Sequence, residues 1–434
     1  MRAATLALLF AFTVVSSGCA AEAAAPGSAA PDSVDPTSLP AAGDARLVVG
    51  RVGESGLQVL LASTGAVVDT WPLGAPDEVW RRVVTVTRDG RVTRVEDRAI
   101  DQPLEGRVQS IEGAWRLPVV GLDPMPVGVS ADGSTIVLVE DLPATKWASA
   151  TASRFAVVSR GGARATRIIE LGGSFEFDAL SPDGSRLYVA QHVPGLLQDR
   201  YQMRVVSTAT GVMDEAIIVD KRNLDEAMAG RPISQFRRAD GMVFTLYRGA
   251  EYPFIHALDT VDAWAVCIDL PAEGMDDTSA GQDWGVVGAG GEAPAMAINA
   301  TLGIAVEIDP AELTIRRTMD IGAPAVVHAT LAKTGQDAVT VGRRVVIAPD
   351  GQAIFAAGRE GIRRIDAKSL TLLGRSLRGQ AVDTISISPD GSGIFALVHD
   401  GGRIAGIDPV SGEVRGWVEG AGFDRLVAAL PVAP

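Results

Sequence analysis

The chain has 434 residues, enough for two or three average domains or for one large repeat-built β fold. Its formal net charge is −14, with acids and arginines interspersed, so the clustered base that a polyanion stripe needs is missing and no nucleic-acid partner is expected. Lysine occurs only at Lys146, Lys221, Lys333 and Lys368, a bias with no functional reading.

Residues 1–18 read as a signal peptide. Arg2 gives a positive start, and Ala3 to Val15 form an apolar run too short to span a bilayer as a permanent helix. Ser16, Ser17 and Gly18 then lead into Cys19. This stretch resembles the lipobox of bacterial lipoproteins, departing from it at Ser16, where leucine is commoner. The resemblance implies lipidation at Cys19, a mature N-terminus there, and an anchor in the cell membrane on its extracytoplasmic face. Ordinary signal-peptide cleavage is the alternative. Stable anchoring takes more than one acyl chain. Residues 1–18 contain no twin-arginine pair, so the general secretion route is the simpler one. Lipidation would leave Cys267 without an intramolecular partner, and the apolar run Ala265-Val266-Cys267-Ile268 predicts a buried, inert thiol. Residues 19–45, rich in Ala, Pro, Ser and Asp, have no apolar period and read as a disordered tether.

From residue 46 to 434 one phrase recurs: "SADGSTIVLV" from Ser130, "SPDGSRLYVA" from Ser181, "APDGQAIFAA" from Ala348 and "SPDGSGIFAL" from Ser388. Proline presets φ, aspartate bonds its own backbone and glycine accepts positive φ, so each copy is a hairpin turn followed by an alternating strand. A second phrase follows each hairpin, as in "IDPAELTIRRTM" from Ile308, "IDAKSLTLLGRSL" from Ile365 and "IDPVSGEVRGWV" from Ile407. Two hairpins in register make a four-stranded antiparallel blade, and a unit of roughly 40 to 50 residues is the expected blade period. The fold class is therefore all-β, a β-propeller. Repeats near 46–73, 76–119, 125–171, 175–220, 231–270, 283–321, 325–379 and 382–418 fit eight blades. Seven fit if the first two share a blade, and the commoner ring size favours seven. Phe423 to Val427 reads as a lone first strand, so the two chain ends are expected to close the ring together.

These turns resemble the YVTN-type family of bacterial β-propellers, over most of the chain from about Leu47. The resemblance implies extracytoplasmic binding or assembly more often than catalysis. Two stretches depart from blade. Asp220–Pro232 predicts a short helix, with Asn223 as N-cap, Glu226 three residues on, and Gly230 and Pro232 as stops. Ala272–Asp283 predicts an acidic loop.

His256 and Asp259 are the candidate site residues, as base and orienter. Repeat alignment points His256 with Phe254 and Leu258 to one sheet face, which favours a core or interface histidine. Glu273, Asp276, Asp277 and Asp283 lack the alternating oxygens of a calcium loop. His192, His256, His328 and His399 fall in different repeats with no close ligand pair, so no metal is expected. The adjacent arginines Arg237-Arg238, Arg316-Arg317, Arg343-Arg344 and Arg363-Arg364 are expected in inter-blade or surface salt bridges, with an anion site in the channel as the alternative. No nucleophile elbow, P-loop or dinucleotide fingerprint occurs, so neither a catalytic residue nor a cofactor is assigned. The leading reading is a membrane-anchored binding or scaffolding module for a protein or glycan partner. The alternative is an enzyme of hydrolase, lactonase or lyase type with its site in the central channel. A quinone-bearing redox propeller is disfavoured.

Overall fold

In the repeated phrase the aspartate and serine side chains replace backbone partners that a tight turn leaves unpaired. In the copy at Ser181, Asp183 Oδ1 accepts from the Ser185 amide (3.0 Å) and the Ser181 hydroxyl (2.7 Å), while Ser181 Oγ accepts from the Arg186 amide (2.9 Å). Gly184 closes the turn at φ +67°, where a side chain would be strained. The Ser388 copy repeats this geometry, with Asp390 taking the Ser392 amide at 3.0 Å and Gly391 at φ +72°.

A computed structural model describes residues 45–431 apart from 52–55, 78–80, 101–106, 122–124, 143–150, 193–199, 223–227, 249–251, 272–282, 289–292, 323–342, 400–401 and 420–421. Its hairpins assemble into eight four-stranded antiparallel sheets arranged as a ring. Of the two blade counts that the repeats allow, eight is the one formed. The stretch 46–73 and the stretch 76–119 do not share a blade. Blade 2 has its own strands Gly74–Pro76, Arg82–Asp89, Val92–Ala99 and Arg107–Glu112.

Blade 1 joins Arg46–Gly50, Gly56–Leu61 and Val67–Pro72 to an innermost strand from the other end of the chain, Arg425–Leu430. Arg46 pairs with Leu430 and Gly50 with Arg425. Blades 3 to 8 begin with innermost strands Trp115–Arg116, Ser174–Leu180, Arg231–Arg237, Trp284–Gly288, Val345–Ile347 and Val382–Ile387. Each sheet is apolar on both faces because each is covered on both sides. Tyr188, Phe155, Phe244 and Trp284 are among the largest wholly buried side chains, and the apolar clusters lie at the seams where neighbouring blades face each other. Because the recurring turns follow the innermost strand in every copy, they gather on one face of the ring. The connections that begin each innermost strand gather on the other, called here the crown face.

Two local expectations change. Of the segment expected as a helix, residues 223–227 lie outside the description, Met228–Ala229 is a strand completing blade 4, and Pro232 lies within the first strand of blade 5. Before it, Met213 and Ile218 make only isolated bridges to the third strand of that blade. Cys267 is half-buried rather than buried.

The innermost strand of blade 3 is interrupted. Trp115 and Arg116 pair with Glu140 and Val139; the chain then leaves the sheet and returns where the Val127 amide meets the Pro118 carbonyl at 2.8 Å. Pairing resumes with Val129 against Ile136. The excursion reaches the innermost strand of blade 5, which is not an adjacent blade. A Cβ on Gly121 would lie 2.5 Å from the Ile233 carbonyl oxygen. Met125 is buried in the apolar cluster that holds Val427, Ala428 and Leu430 of blade 1. Gly121 and Met125, on either side of residues 122–124, thus meet blades 5 and 1, neither of which adjoins blade 3.

Candidate functional site

The two candidate residues from the sequence are not brought together. Three residues apart on one strand, they project to opposite faces. Asp259 sits at the strand end, where its carboxylate accepts the Val261 and Asp262 amides at 2.8 Å each. That is the turn role that Asp309, Asp366 and Asp408 fill in blades 6, 7 and 8. His256 lies in the third strand of blade 5, paired across to Thr245 and Cys267, and is fully buried. Phe254 and Leu258 share its face against blade 4, as repeat alignment predicts. Neither ring nitrogen has a hydrogen-bond partner among the described residues, and burial pushes the imidazole down to about 4.

His256 is instead one member of a polar cluster in the seam between blades 4 and 5. Its centre is Asp178 on the innermost strand of blade 4. The pairing register slips between Phe177 and Ala179, leaving Asp178 as the extra residue of a β-bulge, and the bulge turns its side chain toward blade 5. The Tyr247 hydroxyl donates to Asp178 Oδ1 at 3.3 Å, and Oδ2 has no partner among the described residues. Burial raises the Asp178 carboxyl to about 6; the Tyr247 hydrogen bond and the Arg237 charge oppose it, and the Glu176 charge adds to it. Tyr247 stacks on Tyr201 at 5.6 Å and on Phe254 at 5.1 Å, and meets the edge of His256 at 6.2 Å. Burial drives both phenols well above their ordinary range. At the crown-side end, His192 lies 6.3 Å from the Tyr201 ring, with its Nε2 3.3 Å from Glu176. The cluster thus runs from a half-exposed imidazole–carboxylate pair to a sealed acid, two phenols and an imidazole.

The same surface pair recurs half-way round the ring. His399 Nδ1 lies 2.9 Å from Asp383 Oδ1 in blade 8. Counted from the turn serines Ser181 and Ser388, each histidine is eleven residues after and each acid five before. In blade 7 the same column holds Arg359, which lies 3.4 Å from Asp283, itself also bound by Arg344 (3.3 Å) and by the Thr301 hydroxyl (2.5 Å). Asp283 is therefore a buried ion-pair partner; the other acids of its loop, 273, 276 and 277, lie outside the described residues, as do His328 and Cys19.

The opposite face differs in kind. Its acids are spent on their own turns: the amides of Ser185, Ser392, Glu312, Ser369 and Ser411 hold the carboxyls of Asp183, Asp390, Asp309, Asp366 and Asp408 below their ordinary value. The arginine pairs make the expected bridges in part. Arg316 and Arg317 both bind Glu307, while Arg364 donates to the Pro409 carbonyl of blade 8 (3.0 Å). Among the described residues no group of three His, Cys, Asp or Glu side chains is placed to hold a metal ion.

Asp178, Tyr201, Tyr247, Glu176 and Asp383 escape a reading that looks for motifs. One signal was available: at the Asp178 column the copies in blades 3, 7 and 8 carry Val127, Val345 and Ile385. An acid among branched aliphatics marks a departure from blade-building.

No family model and no curated protein matches the chain. Solved structures do. The apo form of AztD from Citrobacter koseri superimposes with a TM-score of 0.53 at 13% identity, covering 89% of this chain and 98% of that one. Dihydro-heme d1 dehydrogenase NirN, in complex with DHE, gives 0.53 at 15% identity over 92% of this chain and 76% of its own. What this chain is shown to share with them is the β-propeller fold.

Proposed function

We propose that the protein is a binding module of the cell envelope, held at the membrane through Cys19, whose crown face receives a protein or glycan partner. The observation that carries this reading is the contrast between the two ring faces. The turn face has its acids committed to backbone amides, whereas the crown face sets an imidazole beside a carboxylate at matching repeat positions, Glu176–His192 and Asp383–His399, on opposite blades. Interacting surfaces need side chains whose partners are exchangeable, and a broad ring of loops offers them. Partner capture from solubilised envelope should therefore fall at least about tenfold when His192 and His399 are both changed to alanine, a loss expected of centrally placed contacts. Asp390→Ala on the turn face should leave capture unchanged. Equal capture by all three proteins would sink the reading.

The Asp383–His399 pair supports the enzymatic alternative, since an imidazole hydrogen-bonded to a carboxylate is the geometry of a general base and its orienter. Turnover of lactone, ester or uronide substrates by the purified protein, abolished by His399→Ala, would favour it. Absence of turnover, with capture intact, would remove it.

A further inference from the structure

Blade 7 is a basic sector in an acidic chain. Residues 343–378 hold seven arginines and one lysine against three acids. Two of those acids, Asp350 and Asp366, accept backbone amides of their own turns. Arg344 and Arg359 are matched by Asp283. Arg363 and Arg375 are not matched by any carboxylate among the described residues.

These two arginines face each other directly across the third and outer strands of the blade, Gly361–Asp366 and Leu372–Ser376. Like charges so placed repel. Arg363 is only 3% exposed, so its charge is also poorly solvated. Both guanidinium groups turn to one acceptor, the Gly322 carbonyl at the end of the outer region of blade 6. Arg363 reaches it through Nε (3.2 Å) and Nη2 (2.5 Å), and Arg375 through Nη2 (2.9 Å). A carbonyl oxygen has two lone pairs, so three donors oversubscribe it, while a guanidinium pair carries ten N–H groups in all. Asp320 and Glu360 act on Arg363 only at longer range, and Asp320 Oδ1 accepts the Gly322 amide at 2.6 Å. Burial first, and then the neighbouring Arg375 charge, lower Arg363 to about 10.

We propose that Arg363 and Arg375 form a binding site for a tetrahedral oxyanion of the phosphate or sulfate class, in the seam between blades 6 and 7. Two guanidinium forks converging on one point supply more donors than a planar carboxylate accepts from one direction, and a tetrahedral anion offers several oxygens to both. An anion here neutralises two adjacent cations, one of them buried, and draws the surplus N–H groups away from a single carbonyl. The site goes beyond the crown-face reading and does not need it: the protein partner and the oxyanion are detected separately.

Titration calorimetry of the purified full chain with inorganic phosphate, against sodium chloride of matched ionic strength, tests it. Saturable binding of one phosphate per chain is expected. Arg375→Gln, a half-buried position, should weaken it about tenfold or more, the loss that removing a charge-assisted hydrogen-bond donor brings. Arg363→Lys keeps the charge and loses the fork, and should weaken it too. Arg364→Gln, whose guanidinium is committed to blade 8, should leave it unchanged. No saturable phosphate binding in the unaltered protein, or equal affinity in a folded Arg375→Gln protein, overturns the proposal; loss of partner capture without loss of phosphate binding counts only against the crown-face reading.

Discussion

At the scale of single residues, the blade 4–5 seam holds two groups whose titrations oppose each other. His256 is depressed from 6.5 to about 4, so the stability that its neutral form contributes is present above the unfolded value and is lost as pH falls through the folded one. Asp178 is raised from 3.8 to about 6, so its contribution is present below the unfolded value and is lost as pH rises through about 6. Each shift corresponds to about 3 kcal/mol, and between about pH 4 and 6 the two slopes have opposite sign. The seam of the unaltered protein should therefore respond weakly to pH in that window. Asp178→Asn should unmask a stability that climbs with pH toward 6.5, and His256→Leu one that declines from about pH 4 to 6. Denaturant unfolding at stepped pH reads this directly, and three parallel curves would refute it. His256 was visible in the sequence because its neighbours Phe254 and Leu258 fix its face by alternation. Its companions were not, because strand alternation breaks at the Asp178 bulge, and because Tyr201 and Tyr247 meet only once two blades are packed.

Single turns and hairpins were the most legible elements, since their chemistry is local. Serine, aspartate and glycine at fixed offsets satisfy the same amides wherever the phrase occurs. The seam beside a turn is not local, and two glycines separate the contributions. Gly90 has φ +62° and nothing within 4 Å of where a Cβ would lie, so Gly90→Ala should cost only the backbone term, about 1 kcal/mol. Gly184 has φ +67° and a Cβ there would stand 2.4 Å from Thr135 Cβ of blade 3. Gly184→Ala should cost about 3 kcal/mol, because strain and overpacking add. Thermal unfolding of the two variants ranks them, and equal shifts would show that the turn tolerates the neighbouring blade. The excursion in blade 3 was illegible for a related reason. Its prolines and glycines read as an ordinary connection, and only the approach of Gly121 to Ile233 reveals where it goes.

For the whole molecule, the repeats and the lone strand near the C-terminus were enough to expect a ring closed by both ends. The number of blades depended on whether the irregular stretch 76–119 could stand alone, which its short innermost strand Gly74–Pro76 allows. Removing residues 423–434 should leave Arg46–Gly50 with an unpaired edge and blade 1 without its innermost strand. Size-exclusion chromatography should then find soluble aggregates or no soluble monomer, whereas a monomeric, cooperatively melting product would contradict closure by that strand. The same pairing bears on how the molecule is made. Synthesis runs one way, so the first hairpins emerge hundreds of residues before the segment that completes their sheet. Until that last segment is released, the nascent polypeptide carries an open β edge, and anything that shields such edges in its compartment gains a long interval in which to act.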